Sequence, residues 1–199
     1  MQNLTLRLIY PPSVPTPQLK AARSGLESFS RFGINVESAI ASEKAFIDVR
    51  CPVPLRNVAY ADKDIRIDSF PGISDDQRTV FGIAITPHSI IIRDGGKDRI
   101  LVAMGGYLKS GAISLRCSKE LPERMRQKGI TAAVKYEAGH LLIPSPDGLA
   151  PNCDNGCLMR RPTSFLQFVH DIVSNNLDFC KDCCHAIEET IRQRRINLN

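Results

Sequence analysis

Apolar and polar side chains alternate from Leu4 to Tyr10, with Leu4, Leu6, Leu8 and Tyr10 in phase, and this period-two pattern predicts a strand that ends at Pro11-Pro12. The pattern then changes period. Leu19, Ala22, Leu26, Phe29 and Phe32 recur at helical spacing, with Pro17 placed as a first helical residue and Gly33 as the stop. Residues Ile34 to Ile40 read as a second strand, so the chain opens with a β-α-β unit and is expected to pair these strands in parallel through a right-handed crossover. Between Ser42 and Asp76 the pattern is faint, with Ala45 to Val49 and Asp64 to Ile67 as the strand candidates among proline-containing turns.

From Thr79 the signal recovers. Short apolar runs at Val80 to Ile85, Ser89 to Arg93, Ile100 to Met104 and Gly111 to Cys117 are separated by Pro87, Gly95-Gly96 and Gly105-Gly106, and they predict a sheet with at least one hairpin. Ser118 is placed as an N-cap, and Pro122 to Leu142 carries the longest helical pattern in the chain despite Gly129. A loop rich in Pro, Gly and Asn follows from Pro144 to Pro162, then helices at about Thr163 to Asn175 and Asp182 to Arg194. The expected organisation is one domain over 1–199: a sheet-rich part at 1–117, a helix with its approach at 118–143, and a C-terminal part at 144–199.

Composition narrows this little. With 199 residues, 43% of them hydrophobic and 24% charged, the chain has the make-up of a soluble globular protein. No apolar run approaches the roughly 20 residues of a membrane span, and the first ten residues lack the features of a secretory signal, so a cytoplasmic location without membrane contact is expected. The net charge of +5 is dispersed apart from the basic run Arg192 to Arg195, which reads as a solvated helix end and argues against nucleic acid as a partner.

The cysteines change the picture more. Five of the seven fall between Cys153 and Cys184, and without a secretory signal such clustering points to metal rather than disulfides. Cys153 and Cys157 are separated by three residues and Cys180 and Cys183 by two, both within the range of structural zinc half-sites. Four thiolates form a closed tetrahedral site, so one structural Zn²⁺ is expected, holding the proline-rich loop against the C-terminal helices. Cys184 and His185 follow directly and leave open which residue supplies the fourth ligand; C-x-x-C spacing favours Cys183. Cys51 and Cys117, isolated at predicted strand ends, read as packed thiols.

The long helix carries Tyr136, Glu137 and His140 at the spacing of H-E-x-x-H, the zinc-peptidase motif in which residues i and i+4 ligate one metal and the glutamate activates its water. By itself E-x-x-H reads most simply as an ordinary helix face. Several segments together resemble the archaemetzincin family: F-G-I-A at Phe81 to Ala84, A-I-S-L-R at Ala112 to Arg116, E-A-G-H-L-L on the helix, C-x₃-C-L-M from Cys153 to Met159, and the final C-x-x-C. The resemblance runs from about Thr79 to Cys183. It implies an α/β (α+β) zincin or metzincin-like fold: a mixed twisted sheet, a long active-site helix, and C-terminal helices clamped by a Cys₄ zinc.

The same resemblance implies roles for single residues. Glu137 falls on the general base, His140 on a zinc ligand and Met159 on the methionine turn, whereas Tyr136 and Asn152 occupy the positions of the other two zinc histidines. Losing one outer-shell partner already costs about 10- to 100-fold in metal affinity, so two missing ligands do not support a catalytic zinc. The expected protein is therefore an impaired or inactive peptidase homologue that keeps a structural zinc and has room for a peptide or protein ligand. A second reading is an active metallopeptidase whose site is rebuilt around Glu137 and His140 by replacement ligands, with Asp147 and Asp154 as residues able to reach it; His88, in a strand turn, and His170, in a helix, read as polar surface or core residues rather than substitute ligands.

Overall fold

The computed structural model describes residues 4–42, 58–61, 80–87, 89–94, 97–101, 104–107, 110–143, 156–159 and 165–196. Strand β1 (Thr5–Tyr10) leads into helix α1 (Thr16–Glu27), a 3₁₀ turn at Ser28–Phe32, and strand β2 (Asn35–Ile40). Pro17 lies in the first turn of α1, and Gly33 ends the 3₁₀ turn at φ 69°, a left-handed conformation that glycine adopts without penalty. β1 pairs in parallel with β2 on one side and with β4 (Val80–Thr86) on the other.

β4 continues in parallel to β8 (Ser110–Ser114), and β8 takes β7 (Met104–Tyr107) antiparallel, giving a five-stranded sheet in the order β2-β1-β4-β8-β7. A second sheet has three strands in the order β3-β5-β6: β3 (Val58–Ala61), β5 (Ser89–Asp94) and β6 (Lys97–Leu101). Every residue of β4 is buried, as expected for a central parallel strand covered on both faces.

Three expectations are corrected here. The apolar run Ile100 to Met104 is divided between β6, which pairs with β5, and β7, which pairs with β8. The strand expected to reach Cys117 stops at Ser114, whose hydroxyl oxygen accepts the Arg116 backbone N–H and turns the chain into a 3₁₀ turn at Leu115–Ser118. Ser118 closes that turn by donating to the Leu115 carbonyl at 2.7 Å, and Pro122 holds the N-cap position of the next helix. The strand candidates at 45–49 and 64–67 lie outside the described residues.

Helix α2 (Glu123–Leu142) is the central pillar, and from Gly129 onward it is buried on most sides. α1 lies close against it: a Cβ on Gly25 would sit 2.6 Å from the Thr131 carbonyl oxygen, and the Thr131 hydroxyl donates to the Ala21 carbonyl at 2.9 Å. Helix α3 (Phe165–Asn175) approaches as tightly at Gly129, where a Cβ would meet Val169 Cγ2 at 2.6 Å. Helix α4 (Lys181–Ile196) closes the helical layer, and the Arg194 guanidinium stacks 4.6 Å from the centre of the buried Phe81 ring in β4.

Candidate functional site

The last two turns of α2 carry the motif residues. Glu137 is buried and points at β8, where Gly111 makes room for it: a Cβ there would lie 3.0 Å from Glu137 Oε2. Burial pushes the Glu137 carboxyl from its ordinary 4.5 up to about 8, because an ionised carboxylate loses its hydration in this position. Tyr136 turns toward α3, with its ring edge-on to Phe168 at 5.5 Å and to the His140 imidazole at 4.1 Å. Burial lowers His140 from 6.5 to about 4, so its ring is neutral near pH 7, and its Nε2 is buried with no hydrogen-bond partner among the described residues.

Met159 is fully buried beneath this turn of α2. Gly139 permits the approach, since a Cβ there would lie 2.6 Å from Met159 Sδ and 3.0 Å from Phe179 Cε1. Phe179 in turn packs edge-on to Phe29 at 5.5 Å, which ties the segment before α4 to the turn after α1.

A second cluster lies at the start of α4. Cys157, Cys180 and Cys183 bring their sulfurs within 4.8 Å of one another, and Cys157 Sγ is 3.6 Å from Cys183 Sγ. Thiolates about 2.3 Å from a tetrahedral zinc lie about 3.8 Å apart, so these three residues fit the ion. Gly156, at φ 65°, bends the chain into Cys157. The Met159 and Cys180 backbone N–H groups both donate to Cys157 Sγ, at 3.4 and 3.2 Å, and fix its position. Burial first, and then the neighbouring sulfurs, push the Cys183 thiol up, so a cation is what these groups need in order to ionise together.

Neighbouring groups fix this cluster to α2. The Leu158 N–H donates to the Asp178 carbonyl at 3.0 Å, and the Asp178 carboxylate pairs with Lys135 of α2 at 2.7 Å. Burial alone would raise the Asp178 carboxyl, but the hydrogen bonds from Lys135 and the Phe179 N–H hold it below its ordinary 3.8. Cys184 does not join the trio; its sulfur accepts from Arg31 at 3.6 Å. His185 is exposed and lies 3.9 Å from Glu189, and His170 is exposed on α3.

The structure thus brings Tyr136, Glu137 and His140 to one end of α2 above Met159, and Cys157, Cys180 and Cys183 to one point. Asn152, Cys153, Asp147, Asp154 and His88 lie outside the described residues. Gly111, Phe168 and Phe179 complete the site without having been singled out by sequence. Gly111, a glycine within a strand, carried the one available signal.

No family model matches the sequence, and no curated protein matches it. Solved structures do. Archaemetzincin from Methanopyrus kandleri superposes with a TM-score of 0.64 at 15% identity, over 96% of this chain and 96% of that one. Archaemetzincin from Archaeoglobus fulgidus, solved in complex with malonate, superposes with a TM-score of 0.59 at 16% identity, over 91% of this chain and 99% of that one. The fold is archaemetzincin-like, with a trio of cysteines able to hold a metal ion.

Proposed function

We propose that the chain is an archaemetzincin homologue that keeps a structural zinc, has lost peptidase chemistry, and binds a peptide or protein. The structural ion is assigned to Cys157, Cys180 and Cys183 with Cys153 as the fourth ligand, and it supplies a closed clamp rather than a reactive centre. We place the protein in the cytoplasm, where thiols stay reduced, and take 1–199 as a single domain.

The observation that carries this reading is the packing of Tyr136. Its ring is only 8% exposed and lies between His140 and Phe168, where a first ligand would have to turn toward a shared metal. A phenol with an ordinary pKa of about 10 is a poor ligand near neutral pH, and this one is already engaged in aromatic packing. Glu137 beside it is buried against Gly111, and burial favours its protonated form.

What remains for a ligand is the edge of the sheet. Among the described residues β7 ends the five-stranded order and neighbours β8, whose Gly111 lies against Glu137, so an extended peptide that adds to β7 would run one strand beyond β7 from the former reaction centre.

A second reading has its own observation. The buried His140 Nε2 lacks a partner among the described residues, and a metal held with replacement ligands would supply one. Zinc analysis and a peptide-hydrolysis assay separate the two. The impaired reading requires one zinc per chain, the same count in His140→Ala, and no hydrolysis. Two zincs with one lost in His140→Ala, or hydrolysis abolished by Glu137→Gln, would overturn it.

A further inference from the structure

A cleft of about 610 Å³ opens between α1, α2 and α3, within the roughly 300–1,000 Å³ usual for small-molecule sites. Lys128 and Lys135 line it from α2, nine and two residues before Glu137; at about 100° per residue both fall on the side of the helix away from that carboxyl. The cleft therefore opens on the face of α2 opposite Glu137, bordered by Leu158 beside the cysteine cluster, and its ligand does not depend on the peptidase question. Lys20 of α1 supplies a third ammonium, and no Asp or Glu is among the described lining residues, in a chain with 21 such side chains.

The three ammonium groups differ in what they already hold. Lys135 is paired with Asp178 at 2.7 Å and is thereby fixed in place. Lys20 and Lys128 are exposed, and among the described residues neither has an ion-pair partner. Lysine binds phosphate as a compact point charge. The lining is otherwise mixed: Ser24, Thr131 and Asn176 contribute polar groups, and Ile172 and Leu177 contribute apolar surface.

We propose that this cleft binds a small organic phosphate, its anionic group held by Lys20 and Lys128 and its apolar body seated against Ile172 and Leu177. Titration calorimetry with phenyl phosphate at low ionic strength tests the site, with inorganic phosphate as the probe lacking a body. Expected is saturable binding of one phenyl phosphate per chain, severalfold tighter than inorganic phosphate. Lys20→Gln/Lys128→Gln should weaken it about tenfold, since each exposed charge contributes modestly. A control variant with the same loss of charge on the exposed Arg116 and Lys119, Arg116→Gln/Lys119→Gln, should bind within about twofold of wild type. Circular dichroism of both variants should match wild type, because all four side chains are exposed. Absence of saturable binding, an equal loss in the control, or equal affinity for the two probes would each overturn the proposal.

Discussion

The cysteine cluster and the end of α2 stand on either side of Met159, and they use their residues in opposite ways. At the cluster, sulfurs from two separate segments converge within 4.8 Å, and two backbone N–H groups support Cys157. On α2 the i and i+4 spacing of a metal motif is kept, yet Tyr136 spends its ring on aromatic contacts with His140 and Phe168. Spacing along a helix makes a shared metal geometrically accessible; sulfur donors that converge on one point make it chemically favourable.

Removing a cysteine ligand should have the largest effect. Apparent binding energies for structural zinc reach about 10–16 kcal/mol, so Cys157→Ser is expected to lower the zinc count from one per chain toward zero. It should also cost several kcal/mol, a fall in Tm of about 10 °C or more for a chain of this size. Emission spectrometry and calorimetry read both. A variant that keeps its zinc and its Tm would remove the basis for treating the cluster as a clamp.

Met159→Ala comes next. Truncating a fully buried methionine costs about 2–5 kcal/mol, and here it opens space beneath Gly139 while leaving the thiols in place. Calorimetry should record the loss with the zinc count unchanged; loss of zinc as well would mean that the two regions form one unit.

A smaller effect depends on pH. Glu137 has a native pKa of about 8 against 4.5 ordinarily, so the unfolded chain gives up its proton first and stability falls as pH rises from 4.5 toward 8. His140 acts in the opposite sense: held at about 4 against 6.5, it makes stability rise with pH between those values. Between 4.5 and 6.5 the two oppose each other, and above 6.5 the glutamate acts alone. The stability advantage of Glu137→Gln over wild type should therefore grow by about 1.4 kcal/mol from pH 6 to pH 7. Denaturant titrations at the two pH values measure this, and a constant gap would show that Glu137 ionises normally in the fold.

His140→Ala should change least. The lost ring contact with Tyr136, worth about 0.5–1.5 kcal/mol, is offset by removal of a buried nitrogen without a partner. A net change within about 1 kcal/mol is expected by the same titration. A loss of several kcal/mol would reveal an interaction that only the replacement-ligand reading supplies.

The parts of the fold that could be read from the chain are those written in local patterns. β1, α1 and β2 announce themselves through alternation, helical spacing, Pro17 and Gly33, and α2 through its length. The run Ile100 to Met104 misleads because continuous apolar sequence does not mark where a strand changes partner; pairing with β5 and with β8 divides it. β3 is four residues, V-A-Y-A, without alternation, and its parallel partner β5 begins 28 residues beyond its end. At the site, the spacing of Tyr136, Glu137 and His140 is local and legible. Phe168 against Tyr136 and Gly111 against Glu137 are contacts between elements, which no window of sequence contains.

Asp178 joins the two regions, accepting Leu158 from the cysteine side through its carbonyl and Lys135 from α2 through its carboxylate. The central helix is thereby mechanically fastened to the cysteine cluster. Stripping the metal should be felt in amide exchange at the far side of that fastening, with protection lost in α2 around Lys135 to Gly139 before the parallel strands β1 and β4 begin to open.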